Sequence, residues 1–173
     1  HASDSGYQRY VNEWEGIRDG EFTPFANTGS GAFEAISGVH HRSIIDTMAS
    51  CVGHGLCTRF PKLKIAPVEN GSGWVRTLLH DMETGYEMNP HMFEEHPVEV
   101  FKRNIFVHPF HEDDPTGLVK LLGVDNVLFG ADYPHPEGMS DPLSFVDALE
   151  GLAEAEQAKV MGGDFAGLVS RPH

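Results

Sequence analysis

Asn126-Val127-Leu128-Phe129-Gly130-Ala131-Asp132-Tyr133-Pro134-His135-Pro136-Glu137-Gly138 decides how the rest of this chain is read. The apolar run 127–129 has the composition of a buried strand. Small residues end it, and Asp132 stands at its C-terminal end, followed by a stiff loop with two prolines, His135 and Glu137. In parallel α/β folds reactive groups collect where strands end, because the backbone is rigid there and the next loop is free to vary. A carboxylate in that place can bind a metal, take a proton from water, or do both in turn. Its competing role is local: an aspartate before Tyr-Pro can hydrogen-bond the next backbone amides of a turn.

Working outward, the pattern alternates. Residues 63–68 read as a first strand and 104–107 as a second, with 127–131 the third. A helix is predicted from Ser43, where Ile44, Ile45, Met48, Ala49, Val52, Leu56 and Cys57 recur with helical period and Ser43 with Asp46 resembles a capping box. Phe60-Pro61 marks its end. A second helix spans 71–82, carrying Trp74, Val75, Leu78, Leu79 and Met82, and Trp74 reads as core rather than substrate platform. Residues 83–103 read as a long excursion. Asp114 caps a helix whose first residue is Pro115 and which Gly123 ends. Asp141-Pro142 opens a further helix, 154–161 forms another, and Asp164 caps a last short one. Before all of these, 7–17 is a plausible short helix and 20–38 a loop of the kind that borders active sites. Strand, helix, strand, helix, strand, helix is the order of a parallel α/β arrangement.

The 173 residues, 40% of them hydrophobic, suffice for one domain with a real core. No stretch approaches the 18 apolar residues of a membrane span, and the first residues lack the regions of a signal peptide, so a cytoplasmic location is expected. Twelve Lys+Arg against 26 Asp+Glu give a formal charge of −14, a surface that repels phosphate backbones and argues against nucleic acid as a partner. Cys51 and Cys57 lie six apart, roughly 240° round a helix, and read as free thiols rather than a disulfide or a zinc pair.

Three strands are too few for a closed barrel, which needs eight and about 250 residues. The chain therefore reads as one half of something larger. Four stretches carry a resemblance: residues 60–65 (Phe-Pro-Lys-Leu-Lys-Ile), 69–74 (Glu-Asn-Gly-Ser-Gly-Trp), 126–138, and 161–164 (Met-Gly-Gly-Asp). Over nearly its whole length the chain resembles the amidohydrolase-related metal-dependent hydrolases, the branch that includes aminocarboxymuconate-semialdehyde decarboxylase. The Gly-Ala-Asp-Tyr-Pro-His segment is the most specific part of the match.

The resemblance implies the C-terminal half of a distorted (β/α)8 TIM barrel, from the end of strand 5 to strand 8 and the C-terminal helices. Residues 1–173 would form part of a single barrel domain, with the N-terminal half missing. A divalent metal, zinc with manganese as second choice, is implied at the barrel mouth; by position His1 matches the fifth-strand ligand and Asp132 the last-strand aspartate. Where catalytic members often carry His-Gly-Gly after the sixth strand, this sequence has Glu69-Asn70-Gly71. Glu69 could be base, acid or ligand, or could complement the charge of a helix N-terminus.

His135, Glu137 and His108 are candidates for substrate contact or support of the metal ligands, each weighed against ordinary loop packing. His111 ranks with His108, and His40, His41 and His54 below them, because eleven histidines must include several ordinary ones. The expected reaction is hydrolysis of a C–N or C–O bond in a small organic substrate. The alternatives are non-oxidative decarboxylation of an aromatic or muconate-type acid, and a non-catalytic half-barrel that pairs with its other half or with a second copy.

Overall fold

The computed structural model describes residues 39–135 and 138–170, together with Tyr10, Glu13 and Trp14. The helix expected over 7–17 and the loop 20–38 lie outside the described residues, apart from those three. Seven α-helices follow in order among the described residues: α1 (Val39–Gly53), α2 (Leu56–Arg59), α3 (Val75–Met88), α4 (Pro97–Asn104), α5 (Pro115–Leu122), α6 (Glu154–Ala158) and α7 (Asp164–Val169).

Between α2 and α3, after α4, and after α5 the chain runs extended, and these three segments lie parallel. Ile65 bridges Ile105, and Val107 bridges Val127. The ladder is built from Ile65 N–H donating to Asn104 O and Phe106 N–H to Ile65 O, both at 2.9 Å, then Val107 N–H to Asn126 O at 2.8 Å and Leu128 N–H to Val107 O at 2.9 Å. The middle segment thus pairs on both sides, which explains why Ile105, Phe106, Val107 and His108 are all buried. Among the described residues these are isolated bridges rather than regular strands, so the expected strands 63–68, 104–107 and 127–131 are shorter than their sequence pattern. Pairing stops where the segments turn outward to deliver their loops.

Two asparagines set the register. Asn104 and Asn126 stand just before the second and third segments, and both are buried. Asn104 Nδ2 donates to Leu63 O at 2.6 Å; Asn126 Nδ2 donates to Lys102 O at 2.6 Å and Ile105 O at 2.8 Å. Each side-chain amide therefore reaches back to the backbone at the start of the preceding segment and supplies donors that the ladder lacks. Arg103 aims the first of them, its Nε donating to Asn104 Oδ1 at 3.1 Å while its other nitrogens grip Glu95 at 2.5 and 3.1 Å. That guanidinium holds the Glu95 carboxyl below the usual carboxylate range.

Successive residues of an extended segment point to opposite faces. Ile65, Ile105, Val107 and Val127 face the helices and join Met48, Trp74, Leu78, Val100, Phe101, Leu118, Phe145 and Val160 in one core. Their alternates Ala66, Val68, His108, Leu128 and Gly130 line a cavity on the other face.

Several helix expectations shift. The first helix begins at Val39 rather than Ser43, so His40 and His41 are helical rather than extended, and it breaks at Gly55, whose φ of 72° ends one helix and opens α2. The second starts at Val75, not Gly71, because Gly71 has a φ of 58°, and it runs on to Met88. The excursion 83–103 is therefore mostly helical: the end of α3, a 3-10 turn at Pro90–Met92 and α4 with Pro97 at its first turn. Asp114 caps α5 as expected, accepting from Gly117 N–H at 2.8 Å. Pro142–Leu149 is a 3-10 helix. Asp164 is the first residue of α7 instead of its cap; burial pushes its carboxyl up, and its Oδ2 finds no hydrogen-bond partner among the described residues.

Candidate active site

Each extended segment ends in one polar side chain on the same cavity. Glu69 follows the first, His108 ends the second and Asp132 follows the third, and all three line a space of about 280 Å³ walled by Ala66, Val68, Leu128, Phe129 and Phe165. A second cavity of about 210 Å³ shares His108 and Asp132 with it and adds Phe110, His111 and Glu112. The site is thus an apolar slot with polar groups at its rim, a form common to sites for small organic molecules.

The backbone marks the two carboxylates. Glu69 has a φ of 60° and Asp132 a φ of 52°; among the described residues they are the non-glycine positions in left-handed conformation. Such a conformation costs roughly 1–2 kcal/mol for an L-residue other than glycine, less for Asp, and it concentrates at functional sites, where the surroundings over-determine it.

The turn after Asp132 is tightly hydrogen-bonded. His135 N–H donates to Asp132 O at 2.8 Å, Gly138 N–H to His135 O at 2.9 Å and Met139 N–H to Ala131 O at 2.8 Å. Asp132 thus takes the local role weighed against function as well, but through its carbonyl, which leaves its carboxylate to the cavity. A side chain at Gly138 would collide with that carbonyl oxygen.

His108 is buried, with Nε2 2.9 Å from the Gly130 carbonyl oxygen. A carbonyl accepts only, so Nε2 carries the proton. The contact is close enough that a Cβ on Gly130 would stand 2.5 Å from Nε2. The glycine of the Gly-Ala-Asp stretch is therefore required by the histidine of the neighbouring segment.

The remaining candidates separate. His1 and Glu137 lie outside the described residues. His135 is half exposed with Nδ1 3.9 Å from the Asp132 carboxylate, beside the cavity rather than in its wall. His111 pairs with Glu112 at 3.2 Å in the second cavity. His41 packs against Gly73, and His54 is exposed and bonded to Ser50 at 2.9 Å. Cys51 and Cys57 are free thiols, Cys57 fully buried, with burial raising the pKa of both. Trp74 is core, as expected. Sequence reasoning missed Phe165, an exposed aromatic in the cavity wall that reaches it from the last helix, α7.

Among the described residues, no group of three or more His, Cys, Asp and Glu side chains is arranged to hold a metal ion. Glu69, His108 and Asp132 share a cavity without forming a complete donor set, so these residues alone do not fit a metal centre.

Parallel extended segments with helices on one face and polar side chains at their C-terminal ends define a class, the α/β folds built from successive β-α units. A family model for amidohydrolases matches residues 9–163, and the chain belongs to that family, whose members are generally metal-dependent. The chain is 36% identical to an amidohydrolase from Mycobacterium avium subsp. paratuberculosis K-10, with a TM-score of 0.84 over 99% of its own length and 41% of that chain. It superposes on 5-carboxyvanillate decarboxylase LigW from Sphingomonas paucimobilis with a TM-score of 0.59 at 23% identity, covering 76% of this chain and 40% of that one. These neighbours imply a TIM-barrel fold. The chain spans about two fifths of the length of each.

Proposed function

We propose that these residues form the C-terminal part of a distorted (β/α)8 barrel whose enzyme hydrolyses a C–N or C–O bond in a small, aromatic or cyclic substrate. The observation that carries this reading is the convergence of Glu69, His108 and Asp132 from the ends of successive parallel segments onto one apolar cavity. Val68, Leu128, Phe129 and Phe165 would bind the apolar body of the substrate. Asp132, fixed by its turn, would accept the proton of an attacking water, and Glu69 would orient or relay protons across the slot. His108, its Nε2 proton held on Gly130, would act as a fixed wall that keeps its ring in one orientation and its neighbours in place.

The implied metal, zinc in preference to manganese, would draw on Asp132 and His1, with its other donors supplied outside the described residues. The described donors by themselves do not complete a set for it. The remaining part of the barrel, or a second copy of this chain, would close the sheet.

Non-oxidative decarboxylation of an aromatic acid is the second reading, since the same apolar walls accept a ring. The two reactions differ in product. Incubation of the full-length enzyme with aryl amides, esters and carboxylates, followed by measurement of amine, alcohol and CO2, separates them. Release of amine or alcohol without CO2 is the expected result; CO2 from a carboxylate overturns hydrolysis. Loss of neither on Asp132→Asn would sink the site itself.

A further inference from the structure

We propose that Asp113 is a positioning residue that clamps the loop carrying Glu69 to the segment carrying His108; the inference rests on reading those two as site residues. One oxygen of Asp113, Oδ2, accepts three hydrogen bonds: from Ser72 N–H at 2.7 Å, from Ser72 Oγ at 2.9 Å and from Phe110 N–H at 2.9 Å. Ser72 lies three residues beyond Glu69, and Phe110 two beyond His108. The carboxylate is therefore the shared anchor of two loops that come from neighbouring segments and are far apart in sequence.

The surroundings close the clamp from the other side. Gly71, at a φ of 58°, lets the Phe110 ring approach to where a side chain would stand: a Cβ there would lie 2.7 Å from Phe110 Cδ2 and 3.2 Å from Asp113 Oδ2. Trp74, buried in the core, donates its Nε1–H to Gly71 O at 2.9 Å, and buried Asn70 donates to Val68 O at 2.6 Å. The Phe110 ring also meets His108 edge-on at 6.5 Å between centroids. Glu69 is a left-handed residue, and such a residue persists only where its neighbours over-determine it. The clamp supplies that constraint.

Helix capping does not account for Asp113. The cap of α5 is Asp114, whose Oδ1 accepts from Gly117 N–H and from the Thr116 hydroxyl. Asp113 spends its bonds on the two site loops instead, and an ionised carboxylate oxygen attracts three donors more strongly than the oxygen of a neutral amide, because its hydrogen bonds are charge-assisted.

The test is made on the intact protein without substrate. Amide hydrogen exchange is followed at Ser72 and Phe110, and the His108 Nε2–H resonance by selective 15N-histidine labelling with assignment by His108→Gln. Asp113→Ala should speed exchange at both amides by ~10-fold or more, as expected on losing hydrogen bonds to a charged group, and should shift or broaden the His108 signal while exchange in α4 stays as in the parent. Asp113→Asn should fall between the two. Gly71→Ala, whose Cβ would crowd the Phe110 ring and the clamping Asp113 oxygen together, should reproduce the change at His108. A purely structural role predicts a lower melting temperature with both local readouts unchanged, and that result in Asp113→Ala, or in Asp113→Asn if the alanine variant does not fold, overturns the clamp. Failure of the underlying site reading is separate: full turnover by Glu69→Gln in the full-length enzyme overturns that reading and leaves the exchange result standing.

Discussion

Asp132 and Glu69 are two carboxylates at strand ends with different tolerance for the backbone they occupy. Asp and Asn visit the left-handed region readily because their short polar side chains bond locally, whereas Glu does so at a larger cost. Asp132→Asn therefore removes the charge while keeping the conformation at φ 52°. The expected outcome is a fall in kcat of ~10²–10⁴ in the full-length enzyme, the range for losing a general base, with a melting temperature that stays within a few degrees (roughly 0.5 kcal/mol, as for surface substitutions). Unfolding together with inactivation would show that the residue acts through structure instead. Asp132 was legible in the sequence because a carboxylate after an apolar run and two small residues is a local pattern. His108 was legible as a candidate at a strand end, one among eleven histidines, but the contact that fixes it, the Gly130 carbonyl 2.9 Å away, belongs to a segment 22 residues later.

Among elements, those defined by their own ends were readable. Asp114 and Pro115 announce α5, and Gly123 closes it, because capping is decided within a few residues. The hydrogen bonds from Gly117 and Thr116 hold the Asp114 carboxyl below its ordinary range. The sign follows: a depressed carboxylate contributes stability above its unfolded value of about 3.9 and loses it as pH falls through the folded value. Asp114→Ala should cost ~1 kcal/mol at neutral pH, and melting curves at successive pH values should show that difference shrinking below about pH 4; a constant difference down to acid would exclude the charged cap. Register was not readable. Asn104 and Asn126 look like ordinary polar residues before strands, and only the fold shows each amide satisfying backbone carbonyls of the preceding segment. Asn104→Ala deletes a fully buried amide and strips the Leu63 carbonyl of its donor, so a loss of about 1–3 kcal/mol is expected, seen as a lower urea midpoint at unchanged slope. Helix α4 was missed as an element because its sequence, Pro-Val-Glu-Val-Phe-Lys-Arg-Asn, presents just three apolar side chains and is held by tertiary burial of Val100 and Phe101.

At the scale of the molecule, the sheet is unfinished among the described residues. Ile65 and Val127 each bridge on one side, and Phe60, Leu63, Val68, Phe165 and Val169 leave apolar surface exposed. An unpaired edge beside apolar surface invites a further chain. The 173 residues on their own should therefore elute above the 19.1 kDa of one chain and should turn over no substrate; a monodisperse, active monomer in a light-scattering and activity assay would refute this. Sequence by itself determined the alternation of helix and extended segment, the helix ends at Phe60-Pro61 and Gly123, and the carboxylate at Asp132, because each follows from propensity, capping and period within one stretch of chain. Tertiary structure alone decided that Glu69, His108 and Asp132 meet at one cavity, that Asn104 and Asn126 set the register, and that Asp113 joins two loops. Those facts depend on which segments lie side by side, and side-by-side pairing is a property of distant backbones that no local pattern encodes.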